Sequence, residues 1–192
     1  MILWTIQPAE IYELIRREGV YRCDPERCPD SYLFRSYDWL AEKMGKKIGP
    51  PPEGVIYPVW AWYRHNGKHR KPDLRSARWD YGEGGKAYVC MELSLSRDRV
   101  VLSDFDDWHC ILNDFLISYS EEEYDALEKT CEPLPESKKR AFKDRNRMRV
   151  FNIRRLENDW TPRGRWVQAT FWELRREDIR KVRHFITAGR AE

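Results

Sequence analysis

Several things are missing from this sequence, and each absence removes a class of function. No apolar run approaches the ~20 residues that a membrane-spanning helix needs. No G-x-x-x-x-G-K-S/T and no G-x-G-x-x-G occurs, so kinase and Rossmann-type phosphate loops are excluded. The opening Met1-Ile-Leu-Trp4 has no basic segment followed by an apolar one, and a soluble, cytoplasmic chain without a membrane partner is the expectation. Five cysteines make an odd number with no framework spacing, which points to reduced thiols rather than a disulfide scaffold. Internal repeats and low-complexity tracts are absent as well.

What is present is a chain of 192 residues, with 9 Trp and 10 Tyr, enough for one domain with a real core, residues 1–192. So many indole and phenol rings exceed what a core alone calls for, and some are expected to line a half-wet groove. Net charge is only +3, but it is unevenly spread. Residues 134–192 hold 17 Lys and Arg against 8 Asp and Glu, residues 80–132 hold 4 against 14, and residues 1–79 hold 14 against 10. A basic third beside an acidic third suits a polyanion partner, although the two thirds can equally neutralise each other.

Along the chain, Ile2–Ile6 reads as a strand, Pro8 as a helix start and Gly19 as its C-cap. Residues 32–44 read as a helix, 57–63 as an aromatic strand, and Asn66-Gly67 as a turn. Residues 68–78 are basic and irregular. Strands are expected at 87–95, 100–102, 150–156 and 166–172, and helices at 105–115, after the N-cap Ser120, and at 175–185. Residues 134–149 are read as helix or loop. The mixed order favours an α+β fold with a split, mainly antiparallel sheet and flanking helices.

The densest polar cluster is Asp104, Asp106, Asp107, His109 and Asn113, at a strand end. It suits a divalent cation or substrate orientation, with helix capping by Asp106 or Asp107 as the blander account. Asp104 is the prime functional candidate. A metal-dependent nuclease using Asp104, Asp106 and Glu92, with magnesium or manganese, ranks lowest, because no established nuclease motif is present. Cys23 and Cys28 with His65 and His69 have the residue types of a zinc site but not the usual spacing, so no metal is assigned. The stretch Lys138–Arg149 looks like a phosphate-contacting stripe with Arg145, Arg147 and Arg149 as contacts, and Trp160 and Trp166 as stacking rings. Glu173 sits at a late strand end, where a catalytic carboxylate can stand.

The motifs W-T-I-Q, P-V-W-A-W, P-D-L-R, L-S-D-F-D-x-W-H and Q-A-T-x-W-E-L resemble an uncharacterised bacterial family of unknown function. More remotely, the order of elements resembles the ADP-ribosyltransferase fold of DarT-type DNA-targeting toxins. Leu3-Trp-Thr-Ile-Gln7 through Gly19 resembles their opening strand and helix, and Leu102-Ser-Asp104 a later strand end. Gln168-Ala-Thr170 departs from the pattern, with Thr where the family carries its catalytic Glu. The resemblance implies an ADP-ribosyltransferase-like protein that binds NAD and acts on nucleic acid, as a toxin or phage-defence component. In that picture Thr5 and Gln7 contact the nicotinamide ribose, and Tyr63 or Trp62 stacks on a ring. Arg75 forks onto pyrophosphate, Glu173 or Glu92 replaces the missing acid, and Asp104 and His109 orient groups. The alternative is a non-catalytic module binding single-stranded nucleic acid through Trp and Arg, which the Thr170 departure favours.

Overall fold

A computed structural model describes residues 1–23, 33–81 and 84–188. The architecture is α+β, with a mainly antiparallel six-stranded sheet and flanking helices. Among the described residues, no helix is long and apolar enough to cross a membrane. By its internal contacts the chain divides into two compact units. The first comprises residues 1–63, 69–101 and 169–192; the second comprises 64–68 and 102–168.

In the first unit, β1 (Ile2–Pro8) runs antiparallel to β3 (Val59–Arg64) and to β4 (Ala87–Ser94), which in turn pairs with β8 (Ile179–Ile186). Alternation along β1 sends Trp4 and Ile6 to one face, where they pack with Cys90 and with Ala77 and Leu74 of the short helix α3 (Leu74–Ala77). Leu3 and Thr5, both buried, and Gln7 point to the other. Helix α1 (Ala9–Glu18) follows Pro8 directly and ends at Gly19, whose φ of 83° lets its N–H reach the Ile15 carbonyl at 2.9 Å. Helix α2 (Phe34–Ile48) buries Trp39, Leu40 and Met44. A second, two-stranded sheet joins β2 (Val20–Arg22) to β7 (Glu173–Arg175). The six-stranded order is β5-β6-β3-β1-β4-β8, with β5 (Val101–Asp104) and β6 (Val167–Phe171) contributing residues 102–104 and 167–168 to the second unit.

The second unit is helical. Helices α4 (Phe105–Leu112), α5 (Glu121–Cys131) and α6 (Glu136–Arg147) are tied together through side chains. Ser120 caps α5 by accepting from the Glu123 N–H, as expected from sequence. Asn146 clamps the incoming loop by accepting from Ile117 N at 2.7 Å and donating to Ile117 O at 2.9 Å. The Asn66-Gly67 turn is also as expected, with φ of 51° and 72° inside the His65–Lys68 bridge.

Two expectations are corrected. Residues 175–185 do not form a helix. They finish β7, make a 3-10 turn at Arg176–Asp178 and continue as β8. Ile179, Val182 and Phe185 recur every third residue, which imitates a helical stripe, while the arginines have good helix propensity. Pairing with β4, with a register shift at Glu92/Leu93, overrides both. Residues 150–156 are not a strand either: a 3-10 turn covers Met148–Phe151 and irregular chain follows. Val150 is buried, but the carbonyls of Arg149 and Asn152 are taken by Nη2 of Arg163, at 3.1 and 2.5 Å, rather than by a sheet neighbour.

Candidate functional site

The polar cluster that stood out in the sequence turns out to be two things. Asp104 is fully buried and caps α4. Its Oδ1 accepts from the N–H groups of Asp106 and Asp107 at 3.0 and 3.1 Å, and its Oδ2 accepts from Gly164 N at 2.6 Å. The cap is therefore Asp104, not Asp106 or Asp107. His109 Nδ1 lies 2.8 Å from the Phe105 carbonyl, and Asn113 Nδ2 donates to the His109 carbonyl at 2.8 Å. Asp104, His109 and Asn113 thus build the helix.

Asp106 and Asp107 differ. Each has a buried Oδ2 without a hydrogen-bond partner. For Asp107 the nearest positive charge is Arg163 Nε at 3.5 Å, with both side chains almost fully buried. Burial, reinforced by the neighbouring Asp104 charge, pushes the Asp107 carboxyl up to about 7. Both aspartates line a cavity of about 300 Å³ in the second unit, walled also by Tyr124 and Trp160. The two rings lie 5.9 Å apart, and the Trp160 Nε1–H donates to Ser118 Oγ at 2.9 Å.

The predicted phosphate stripe is largely turned inward. Arg147 is buried and pairs with Asp114 at 2.8 Å and Asp144 at 3.3 Å. Arg149 pairs with Glu123 at 2.7 Å and lies over the Tyr119 ring. Arg145 and Trp160 are exposed. Asp114 and Glu123 come from the acidic third of the sequence and Asp144 from the basic third itself, so the two charge blocks partly neutralise each other within the second unit.

In the first unit, Thr5 donates to the Trp60 carbonyl at 2.8 Å and accepts from Gln7 Nε2 at 3.0 Å. Tyr63 packs on His69, with centroids 4.6 Å apart. Arg75 is 91% exposed and grips Asp73 of its own helix cap. Because α3 covers the Trp4/Ile6 face of β1, Thr5 and Gln7 stand on the face opposite α3. Glu173 is nearly buried between Arg22 at 3.1 Å and Arg175 at 2.7 Å. Burial alone pushes its carboxyl up, but the hydrogen bonds and charges of Arg175 and Arg22 outweigh that and hold it below its usual range. Thr170 is fully buried and donates to the Val101 carbonyl. Glu92 faces Lys181 at 3.8 Å.

Of the zinc candidates, Cys28 lies outside the described residues. His69 Nε2 is 2.8 Å from the Ile2 carbonyl, and His65 meets the Trp166 ring. Among the described residues, no three His, Cys, Asp or Glu side chains gather as metal ligands.

What the sequence did not reveal is a basic groove of about 590 Å³ in the first unit, where Arg75 and Arg78 meet Arg183, His184 and Phe185 of β8. Trp79, 51% exposed, is next in the chain after Arg78, whose guanidinium is 6.0 Å from its ring. The only signal was Arg-Trp at 78–79 and the arginine-rich run at 180–183. Reading that run as helix hid the pairing that brings the two segments together. A family model described as "Domain of unknown function (DUF3841)" matches residues 2–180 of the chain. No curated protein matches it.

Proposed function

We propose that this chain, which belongs to the DUF3841 family, binds single-stranded nucleic acid through the basic groove between α3 and β8. The supporting observation is the groove's composition: three arginines and a histidine with the Phe185 ring, and the exposed Trp79 beside Arg78. Guanidinium groups meet phosphates as bidentate forks, and exposed rings stack on unpaired bases. A blander account exists for β8, which is an edge strand in the sheet order; charges on an edge discourage pairing with another chain. That account covers Arg180, Lys181 and Arg183. It does not explain Arg75, Arg78 and Trp79 on a neighbouring element. The Asp73–Arg75 pair is no obstacle, because an exposed ion pair is weak and a phosphate can replace the carboxylate.

The ADP-ribosyltransferase-like reading takes second place. It needs Thr5, Gln7 and Arg75 on one NAD molecule, whereas Thr5 and Gln7 lie on the face of β1 opposite the helix that carries Arg75. It also needs a free acid, whereas Glu173 is held by two guanidinium groups and Glu92 faces Lys181 at 3.8 Å.

One titration series tests both. A labelled single strand of about 15 nucleotides is expected to bind with an affinity that falls steeply with salt. Joint replacement of Arg75 and Arg183 by Ala should weaken it about tenfold or more. Unchanged binding in that double variant would sink the proposal. Calorimetric binding of NAD or ADP-ribose, lost in Gln7→Ala, would put the transferase reading first.

A further inference from the structure

We infer that the acidic cavity of the second unit is a binding site for a small organic cation: a primary ammonium or guanidinium group carried on a short aliphatic chain. Four observations on the walls converge on that chemistry.

The first is the pair of carboxylates. Asp107 is 96% buried (4% exposed), and its Oδ2, like Oδ2 of Asp106, has no hydrogen-bond partner. Buried acceptors without donors are rare in folded proteins, and each calls for an explanation. Arg163 does not supply one, because its Nε stands 3.5 Å from Asp107 Oδ2 and is itself without a hydrogen-bond partner. The Arg163 fork is committed elsewhere: Nη2 donates to the carbonyls of Arg149 and Asn152, and the guanidinium lies 4.0 Å from the Tyr119 ring centroid. The second is the aromatic wall. Tyr124 and Trp160 line the same space, and ring faces attract cations. The third is size. About 300 Å³ sits at the lower end of ligand pockets, which suits a few heavy atoms. The fourth is the donor set. With no third ligating side chain gathered among the described residues, a metal ion would be poorly held, while an ammonium or guanidinium brings the N–H donors that both oxygens lack. Anions are repelled by the same two carboxylates, and a neutral apolar guest would leave the oxygens unsatisfied.

The charge around Asp107 gives the site a pH signature. It is faced by Asp104 from β5, Asp106 from its own helix, Arg163 from the loop before β6, and Arg149 from the 3-10 turn, the last already paired with Glu123. The cation binds the ionised carboxylate, so binding at neutral pH expels a proton. This inference does not depend on the nucleic-acid reading, which concerns the other unit.

The test is calorimetry on the full chain with n-butylammonium, butylguanidinium and, as a neutral control of equal length, n-butanol. At least one cation should bind about tenfold or more tightly than the alcohol, with affinity rising between about pH 6 and about pH 8. Asp107→Asn should remove the pH dependence, and Asp106→Asn should weaken the cation about tenfold without changing the alcohol. Should Asp107→Asn fail to fold, Asp106→Asn decides, since that side chain is only half-buried. Equal heats for cation and alcohol, or no cation binding at about 10 mM, overturns the inference. So does unchanged cation affinity in Asp106→Asn.

Discussion

Arginine does opposite work in the groove of the first unit and in the interior of the second. In the first, Arg75, Arg78 and Arg183 stand around an open groove, and the carboxylate nearest Arg75 is an exposed neighbour on its own cap. In the second, Arg147, Arg149 and Arg163 are drawn inward onto Asp114, Asp144, Glu123 and Asp107, and onto backbone carbonyls and the Tyr119 ring. The residue type is the same, and the difference is the local supply of acid. Residues 102–168 fold acidic α4 and α5 together with basic α6, so their guanidinium groups become internal struts. Among the described residues, the groove of the first unit has no acid on its walls, and its guanidinium groups keep room for a polyanion. A run of arginines in a sequence is therefore ambiguous until its counter-ions are placed.

The comparison breaks most readily at Arg163. Its side chain is 2% exposed and satisfies two loop carbonyls, so Arg163→Ala strands those carbonyls and leaves Asp107 without its nearest positive charge. A loss of about 3–5 kcal/mol in chemical denaturation is expected. A loss of under about 1 kcal/mol would mean that Arg163 is no strut and that the contrast between the units is mistaken.

The next effect is a pH dependence carried by Asp107. Its carboxyl titrates near 7 in the folded chain against 3.8 when unperturbed. Between those values the folded state holds a proton that the unfolded state has released, so stability falls as pH rises from about 4 to about 7 and then levels off. The full span is worth a few kcal/mol. Asp114, Glu123 and Glu173 pull the other way, because their folded values are lowered; their contributions are lost only on acidification below their ordinary range. The clean observable is a difference. Wild type should lose stability relative to Asp107→Asn as pH climbs through this window, and parallel curves for the two proteins would refute the assignment.

Local chemistry made much of the fold legible in advance, and long-range pairing hid the rest. Pro8 and Gly19 bracket α1, Ser120 starts α5, and Asn66-Gly67 makes its turn, because each acts on chain only a few residues away. β8 escaped because the three-residue spacing of Ile179, Val182 and Phe185 looks helical until a register shift on β4 absorbs the mismatch. The candidate sites suffered the same way. The strand-end position of Asp104 suggested chemistry, yet three N–H groups consume its carboxylate. Asp106 and Asp107 were seen in the sequence, but the contribution of Tyr124 and Trp160 to their cavity depends on α5 and the loop after α6. No sequence pattern links residue 78 to residue 183.

The smallest stability effects give the sharpest form of the comparison, because they cross. Arg147→Ala removes a buried guanidinium that holds Asp114 against α6. It should cost about 1–3 kcal/mol in denaturation and leave nucleic-acid affinity nearly unchanged. Arg75→Ala removes an exposed side chain whose ion pair with Asp73 lies within its own helix cap. It should leave the melting temperature where it was, while weakening the single strand and lowering the salt slope of its binding by about one phosphate contact. An arginine that supports the fold and an arginine that meets a ligand are thus separated by which of two measurements moves. If Arg75→Ala were to lower the melting temperature and spare binding, the groove would be a structural feature of the edge strand, and the contrast between outward and inward arginines would carry no functional meaning.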